Sequence, residues 1–521
     1  MNSFRQGAAA CGAGAIARLT RGDRALSRRR SCLLQHSLLL SLFVGTRAAL
    51  HAAGLRFNLD LSWMFLSDLA DLRERLLETV YYFHAFAPGM NIITGLILKL
   101  SPDHMATTAS YVFWTSGWLL LVSLFRLFLI VGFSRWGALW LSLSFSLLPQ
   151  SLFFENLYLY THLCTALLCL AIVLFHRALQ RSSTLPWLWF FLTCSALGFL
   201  YTTFHLVWFI SMGFLAFALA KRGTRRRVVW AALGPGALLV TLYAKNFIVF
   251  GVFGATSWGG ANLTLVTTQQ MDPGLRNRWI RRGKLSPYAN VTVFAPPSDY
   301  VHFFAKDLRF PWPGSNELER PSVGAGNYNH GLFLEVNRRR GEDAVYYIKQ
   351  RPEAYLRVVL TENLPRLFNS STHWHPSDRD ELYSPHRAHR LVLGGYEDLY
   401  DRIVHSWPSP GVGLYVFLPP FCLWALWGAA TRLRSRNDER RAVGVVLGMC
   451  LFQIVFVVSA SSFFSSLESA RYRYGIEPCI WVVVAMAGRT AYLRLWRTWN
   501  RWRRASAHAQ SASQAHAVGE P

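Results

Sequence analysis

Long apolar runs that recur along the chain limit its fold more than any other feature. They lie near 32–50, 107–131, 136–153, 157–176, 186–203, 205–220, 228–250, 411–430, 442–463 and 477–492. A run of roughly 18 or more apolar residues can satisfy its backbone hydrogen bonds in hydrocarbon only as a helix. With 52% of the residues hydrophobic and 15% aromatic, the chain carries more apolar surface than a soluble core of this length hides. The expected fold is an all-α polytopic membrane protein of about ten transmembrane helices, joined to a mixed, irregular extracytoplasmic domain.

The net charge of +25 does not point to nucleic acid, because the basic residues fall in short clusters between apolar runs. These clusters are the tail ending in Arg28, Arg29 and Arg30, Arg135, Arg177 with Arg181, Lys221 to Arg227, Arg432 to Arg441, and Arg489 to Arg504. With ten alternating spans all of them share one side, so the positive-inside rule places both termini in the cytoplasm. The run from 32 reads as an uncleaved first span rather than a signal peptide, because it exceeds the usual h-region and the alternation requires it.

This assigns 1–31 to a cytoplasmic basic tail, 32–250 to spans one to seven, 251–409 to the extracytoplasmic domain, 410–495 to the last three spans and 496–521 to a cytoplasmic tail. Residues 505–521 are mostly Ala, Ser, Gln and His, a composition that predicts disorder. In the first outer loop, 51–106, Leu66, Leu69, Leu72 and Leu76 share one helical face opposite Asp68, Asp71 and Glu74, as in a helix lying flat on the membrane. The stretch 252–409 is too long for a connection and turns helix-like from Gly341 through Phe368. It contains none of the eight cysteines, which excludes a disulfide or a cysteine-ligated metal there.

Candidate chemistry collects on the outer side. Asp60 in RFNLDLSW can accept a proton from a bound acceptor, or cap the helix that follows. Glu155 in FFENLYLYTH occupies a tight turn and faces either a partner or the aqueous interface. His205 and Lys245, at outer span ends, can approach an anionic head group or snorkel. Arg471 and Arg473 in ESARYRYGIEP stand on the side where arginines are scarce. Phosphate binding is preferred there over an ion pair with Glu468 or Glu477. His330, His373 and His375 supply only an H-x-H spacing without a third ligand, so no metal site is assigned; they read as solvated or acceptor-binding residues. The sequons at Asn262, Asn290 and Asn369 fall in the long outer segment and say little.

The order of these features, together with YYFHAFAPGMN, KNFIVFGVFGATSWGGAN, IKQRPEAYL and RYRYGIEP, resembles the GT-C class of polytopic membrane glycosyltransferases. That class includes the protein O-mannosyltransferases and the bacterial aminoarabinose transferase of lipid A. The resemblance implies transfer of a sugar from a polyprenyl-phosphate lipid to an extracytoplasmic glycan, lipid or protein, with inversion and without nucleotide or required metal. It implies Asp60 as general base, Glu155 as a second acid, Arg471, Arg473 and Lys245 at the donor phosphate, and His84, His205 and His330 near substrate. One departure is that Leu61 follows Asp60, where many mannosyltransferases have a paired Asp-Glu. The short motifs resemble bacterial members, implying a bacterial plasma membrane; a eukaryotic chain would sit in the endoplasmic reticulum. A transporter or lipid flippase is the alternative from another class, but the matched broken spans of one are not visible. A lipid-linked glycan ligase or polymerase would make Asp60 and Glu155 dispensable.

Overall fold

The computed structural model describes residues 34–304, 309–367, 418–465 and 469–517. The tail 1–31, His373, His375, the Asn369 sequon and Glu468 lie outside the described residues. The chain divides into two compact units, Met1–Arg56 and Phe57–Pro521. In the first, helix α1 spans 34–52 and is followed by a turn in which Gly54 takes a φ of 109°. Arg56 closes that turn by donating to the carbonyl of His51 at 2.5 Å.

In the second unit the apolar runs fold as helices. These are α5 (Met105–Ile130), α6 (Arg135–Ser146), α7 (Pro149–Glu155), α8 (Tyr160–Gln180), α9 (Leu185–Leu200), α10 (Leu206–Leu219) and α11 (Arg225–Phe250). After the long loop come α17 (Leu418–Leu433), α18 (Asp438–Phe464) and α19 (Ser469–Ala517). Among the described residues five helices, in α5, α8, α11, α18 and α19, are long and apolar enough to cross a membrane. Helices α6 and α7 would make a sixth span, bent by 63°. The break has a local cause. Pro149 lacks an N–H and can only open a new helix, so α6 ends at Ser146. Helix α8 packs between α5 and α9, and α19 packs on α18 and α8.

Between the long helices the chain forms a loop domain. Residues 57–104 contribute α2 (Leu69–Glu74), α3 (Leu76–Tyr81) and α4 (Gly89–Leu100). Residues 251–367 contribute α12 (Gly259–Leu265), α13 (Pro273–Arg281), α14 (Leu332–Gln350), α15 (Pro352–Val358) and α16 (Leu364–Arg366). A two-stranded antiparallel ribbon pairs β1 (Glu319–Arg320) with β2 (Ala325–Gly326). The core of this domain is aromatic. Trp258, Tyr300, Leu332 and Phe333 bury themselves with Phe83 and Ala85 of the first loop. Each such side chain removed from water contributes about 1.5–3 kcal/mol.

Three expectations are corrected. The amphipathic helix predicted from Leu66 starts later, because Asp68 takes the N-cap position and accepts from Ala70 N. It also breaks at Arg75, which leaves helical geometry. Its apolar face does not lie open to lipid: Leu72 and Leu76 pack on Leu98 of α4. The second helical stretch begins at Leu332 rather than Gly341 and is interrupted at Pro352. Finally, the tail expected to be disordered continues α19 as helix to Ala517. Its alanines have the highest helix propensity, and the preceding turns supply the nucleus.

Candidate functional site

Two interlocked layers form where the first loop, residues 251–367 and the N-terminus of α19 meet. The upper layer is polar. Arg320, 1% exposed, reaches from β1 into the first loop and donates to the carbonyls of Leu61 (3.2 Å), Ser62 (2.5 Å) and Leu66 (3.1 Å). Ser322 donates from its backbone and hydroxyl to the Asp68 carboxylate at 2.8 and 2.7 Å. Asn329 Oδ1 accepts from the backbone N–H groups of His84 and Ala85 at 2.8 and 3.2 Å.

His84 is the centre of this layer, 1% exposed. Its Nε2 lies 3.1 Å from the carbonyl of Asn329 and its Nδ1 2.9 Å from Ser257 Oγ. A carbonyl only accepts, so Nε2 carries the proton and Nδ1 accepts from the serine. Burial, with the nearby charge of Lys245, pushes the His84 pKa down to about 3. Lys245 Nζ donates to the Phe83 carbonyl at 2.7 Å and lies 5.2 Å from the Phe250 ring centroid. His330 accepts from Leu332 N at 3.1 Å, and burial lowers its pKa to about 4. His205 caps α10 by accepting from Val207 N at 3.2 Å.

The lower layer is a cavity of about 60 Å³ with aromatic walls. Trp63 and Phe65 of the first loop line it with Phe86, Tyr160, Tyr201 and Tyr472. Arg471 is its cation, 5% exposed, with its guanidinium carbon 5.2 Å from the Tyr160 ring centroid, 5.5 Å from Tyr472 and 6.0 Å from Tyr201. At these distances the ring faces stabilise the charge. Asn262, the first residue of a sequon, also lines the cavity.

A buried polar network supports it. Arg473, 0% exposed, pairs with Glu477 through Nε at 2.9 Å and donates from Nη1 to the Leu367 carbonyl at 2.7 Å. Gln150 Nε2 donates to the other Glu477 oxygen at 3.0 Å. Tyr474 stacks on Phe154 with centroids 4.4 Å apart and shares a 2.8 Å hydrogen bond with His162 Nδ1. Glu155 ends α7 beside this network, 1% exposed.

The structure thus gathers Arg471, Arg473 and Glu155 around the start of α19, with Arg473 in the ion pair to Glu477. Asp60 stands apart from the cavity wall, three residues before Trp63. It closes its own turn by accepting from Ser62 N at 2.8 Å and Ser62 Oγ at 2.6 Å. Its segment is nevertheless tied to that of Glu155. Asn58 and Leu157 form a parallel bridge, Asn58 N donating to the Asn156 carbonyl at 2.7 Å and Tyr158 N to that of Asn58 at 2.9 Å. Sequence reasoning missed Tyr160, Tyr201, His162 and Arg320. Only the density of tyrosines beside RYRY and in FFENLYLYTH hinted at the cage.

Fold and cavity together define an α-helical chain with several helices long and apolar enough to cross a membrane, whose loops and helix ends enclose an aromatic pocket around one arginine. Comparison with family models, curated proteins and solved structures finds no match to this chain.

Proposed function

We propose that the protein is a membrane glycosyltransferase that moves a sugar from a polyprenyl-phosphate donor to an acceptor hydroxyl, with inversion at the anomeric carbon. The observation that carries this reading is Arg471, a nearly buried guanidinium framed by three tyrosines in the wall of an aromatic cavity. A planar cation of fixed charge suits a phosphate oxygen, and aromatic walls suit a prenyl chain or the apolar face of a sugar. In this scheme the acceptor oxygen forms a bond to the anomeric carbon while the bond from that carbon to phosphate oxygen breaks. The leaving electron pair stays on the phosphate, stabilised by Arg471, and the acceptor proton passes to Asp60. Arg473 acts through Glu477 to position the start of α19. The reading carries ten spans with cytoplasmic termini and a loop domain on the opposite face of the membrane, most simply a bacterial plasma membrane. No metal is required.

Two variants test it in full-length protein held in nanodiscs. Arg471→Ala should weaken binding of undecaprenyl phosphate about tenfold or more, the value of a charge-assisted hydrogen bond. Asp60→Asn keeps an Oδ1 to accept from Ser62, so it should bind the lipid normally. Its transfer from a lipid-linked sugar extract should fall by roughly two to four orders of magnitude. Unchanged lipid binding in Arg471→Ala would remove the donor assignment, and wild-type transfer in Asp60→Asn would remove the base.

A further inference from the structure

Helix α19 runs unbroken from Ser469 to Ala517. At about 1.5 Å per residue, a bilayer core needs only some 20 of its residues. Counted from Arg471, the hydrocarbon ends near Arg489, and there the helix is still tied to its neighbours. Arg489 Nη1 donates to the Val131 carbonyl at 3.4 Å, and its guanidinium lies 5.5 Å from the Phe133 ring centroid. Beyond that point the surroundings change. Tyr492, Leu495, Trp496, Trp499 and Trp502 are between 53% and 71% exposed, an uncovered aromatic stripe. Their spacing puts them on one side of the helix, together with Arg503, while Arg494, Arg497, Arg501 and Arg504 recur on the other. Between 489 and 504 there are six arginines and no acidic residue.

We propose that residues 492–504 of α19 bind the anionic head-group surface of the leaflet at this end of the protein. The rings nearest the hydrocarbon, Tyr492 and Trp496, seat at the boundary of acyl chains and head groups, and the guanidinium groups face the lipid phosphates. Two features choose this occupant. The charge is wholly cationic and calls for an anionic surface, and the nearest rings, Tyr492 and Trp496, fall within roughly 10 Å of the hydrocarbon end, where aromatic side chains partition. A nucleic acid would match the charge but would leave the tryptophan stripe in water. This site is separate from the cavity around Arg471, and its test does not depend on catalysis.

The full-length protein in nanodiscs of phosphatidylcholine, or of phosphatidylcholine with phosphatidylglycerol, is treated with trypsin. Cutting at 494–504 is measured relative to cutting at Arg434 and Arg436, which are exposed between α17 and α18. Phosphatidylglycerol should slow the first cuts at least about tenfold against the reference, because each guanidinium is attracted to the anionic surface. High salt should reverse the protection. Replacing Trp496, Trp499 and Trp502 by serine should restore cutting, with the reference cut unchanged. As a second variant, Arg494→Gln, Arg497→Gln, Arg501→Gln and Arg504→Gln together should expose the tryptophans to chymotrypsin in anionic discs. Equal relative rates in the two lipids would overturn the proposal, whether the segment is open in both or shielded in both by another protein copy.

Discussion

His84 shows how a single residue couples the stability of this protein to pH. Its ring is buried, neutral and bonded on both nitrogens, and its pKa lies near 3 against an ordinary value of 6.5. His330, near 4, behaves likewise, since a proton on Nδ1 would remove the acceptor for Leu332 N. Both pKa values are depressed in the folded state, so the unfolded chain binds more protons below about 6.5. The stability they supply is complete above that pH and is lost as pH falls from there toward 4, at about 1.4 kcal/mol per pH unit for each group. Thermal unfolding in nanodiscs should therefore shift to lower temperature between pH 6.5 and 4.5. His84→Gln should be less stable at pH 8 but show a shallower slope. A slope unchanged from wild type would place the acid sensitivity elsewhere.

At the scale of elements, the loop domain depends on how closely α12 approaches α14. A Cβ on Gly260 would fall 2.0 Å from the Asn337 carbonyl and 2.7 Å from Gly341 N, contacts that cannot be relieved without moving backbone. Beside it, Gly259 has open space. Gly260→Ala should destabilise the domain by about 1–3 kcal/mol, as overpacking does, with Gly259→Ala as a neutral reference in the same denaturant titration. The sequence shows the glycine pair in SWGGAN but not which of the two meets a neighbour. The same division runs through the whole chain. Apolar runs are legible because hydrocarbon and helix periodicity act locally, and each run folds as helix over most of its described residues, the run 136–153 as two helices. What covers a helix face is not local: Leu72 and Leu76 read as lipid-facing until α4 is placed against them. Arg320 and Tyr201 were invisible for the same reason, since their importance comes from carbonyls and rings hundreds of positions away in the chain.

At the scale of the whole molecule, the distribution of basic clusters makes a prediction about sidedness. Cysteines introduced at Arg436 and at Lys284, both exposed, should react with an impermeant maleimide from opposite faces of sealed vesicles, Arg436→Cys from the cytoplasmic one. Labelling of both from the same face would reverse the assignment of the loop domain. The cavity has a consequence for how the protein is made. Its walls include Trp63 near the start of the chain and Tyr472 near the end, and the segments carrying them are inserted far apart in time. A nascent chain that has already threaded most of its helices into the bilayer still has no pocket. A chain interrupted before Arg471 lacks the last wall of this cavity, so partial synthesis cannot form the pocket.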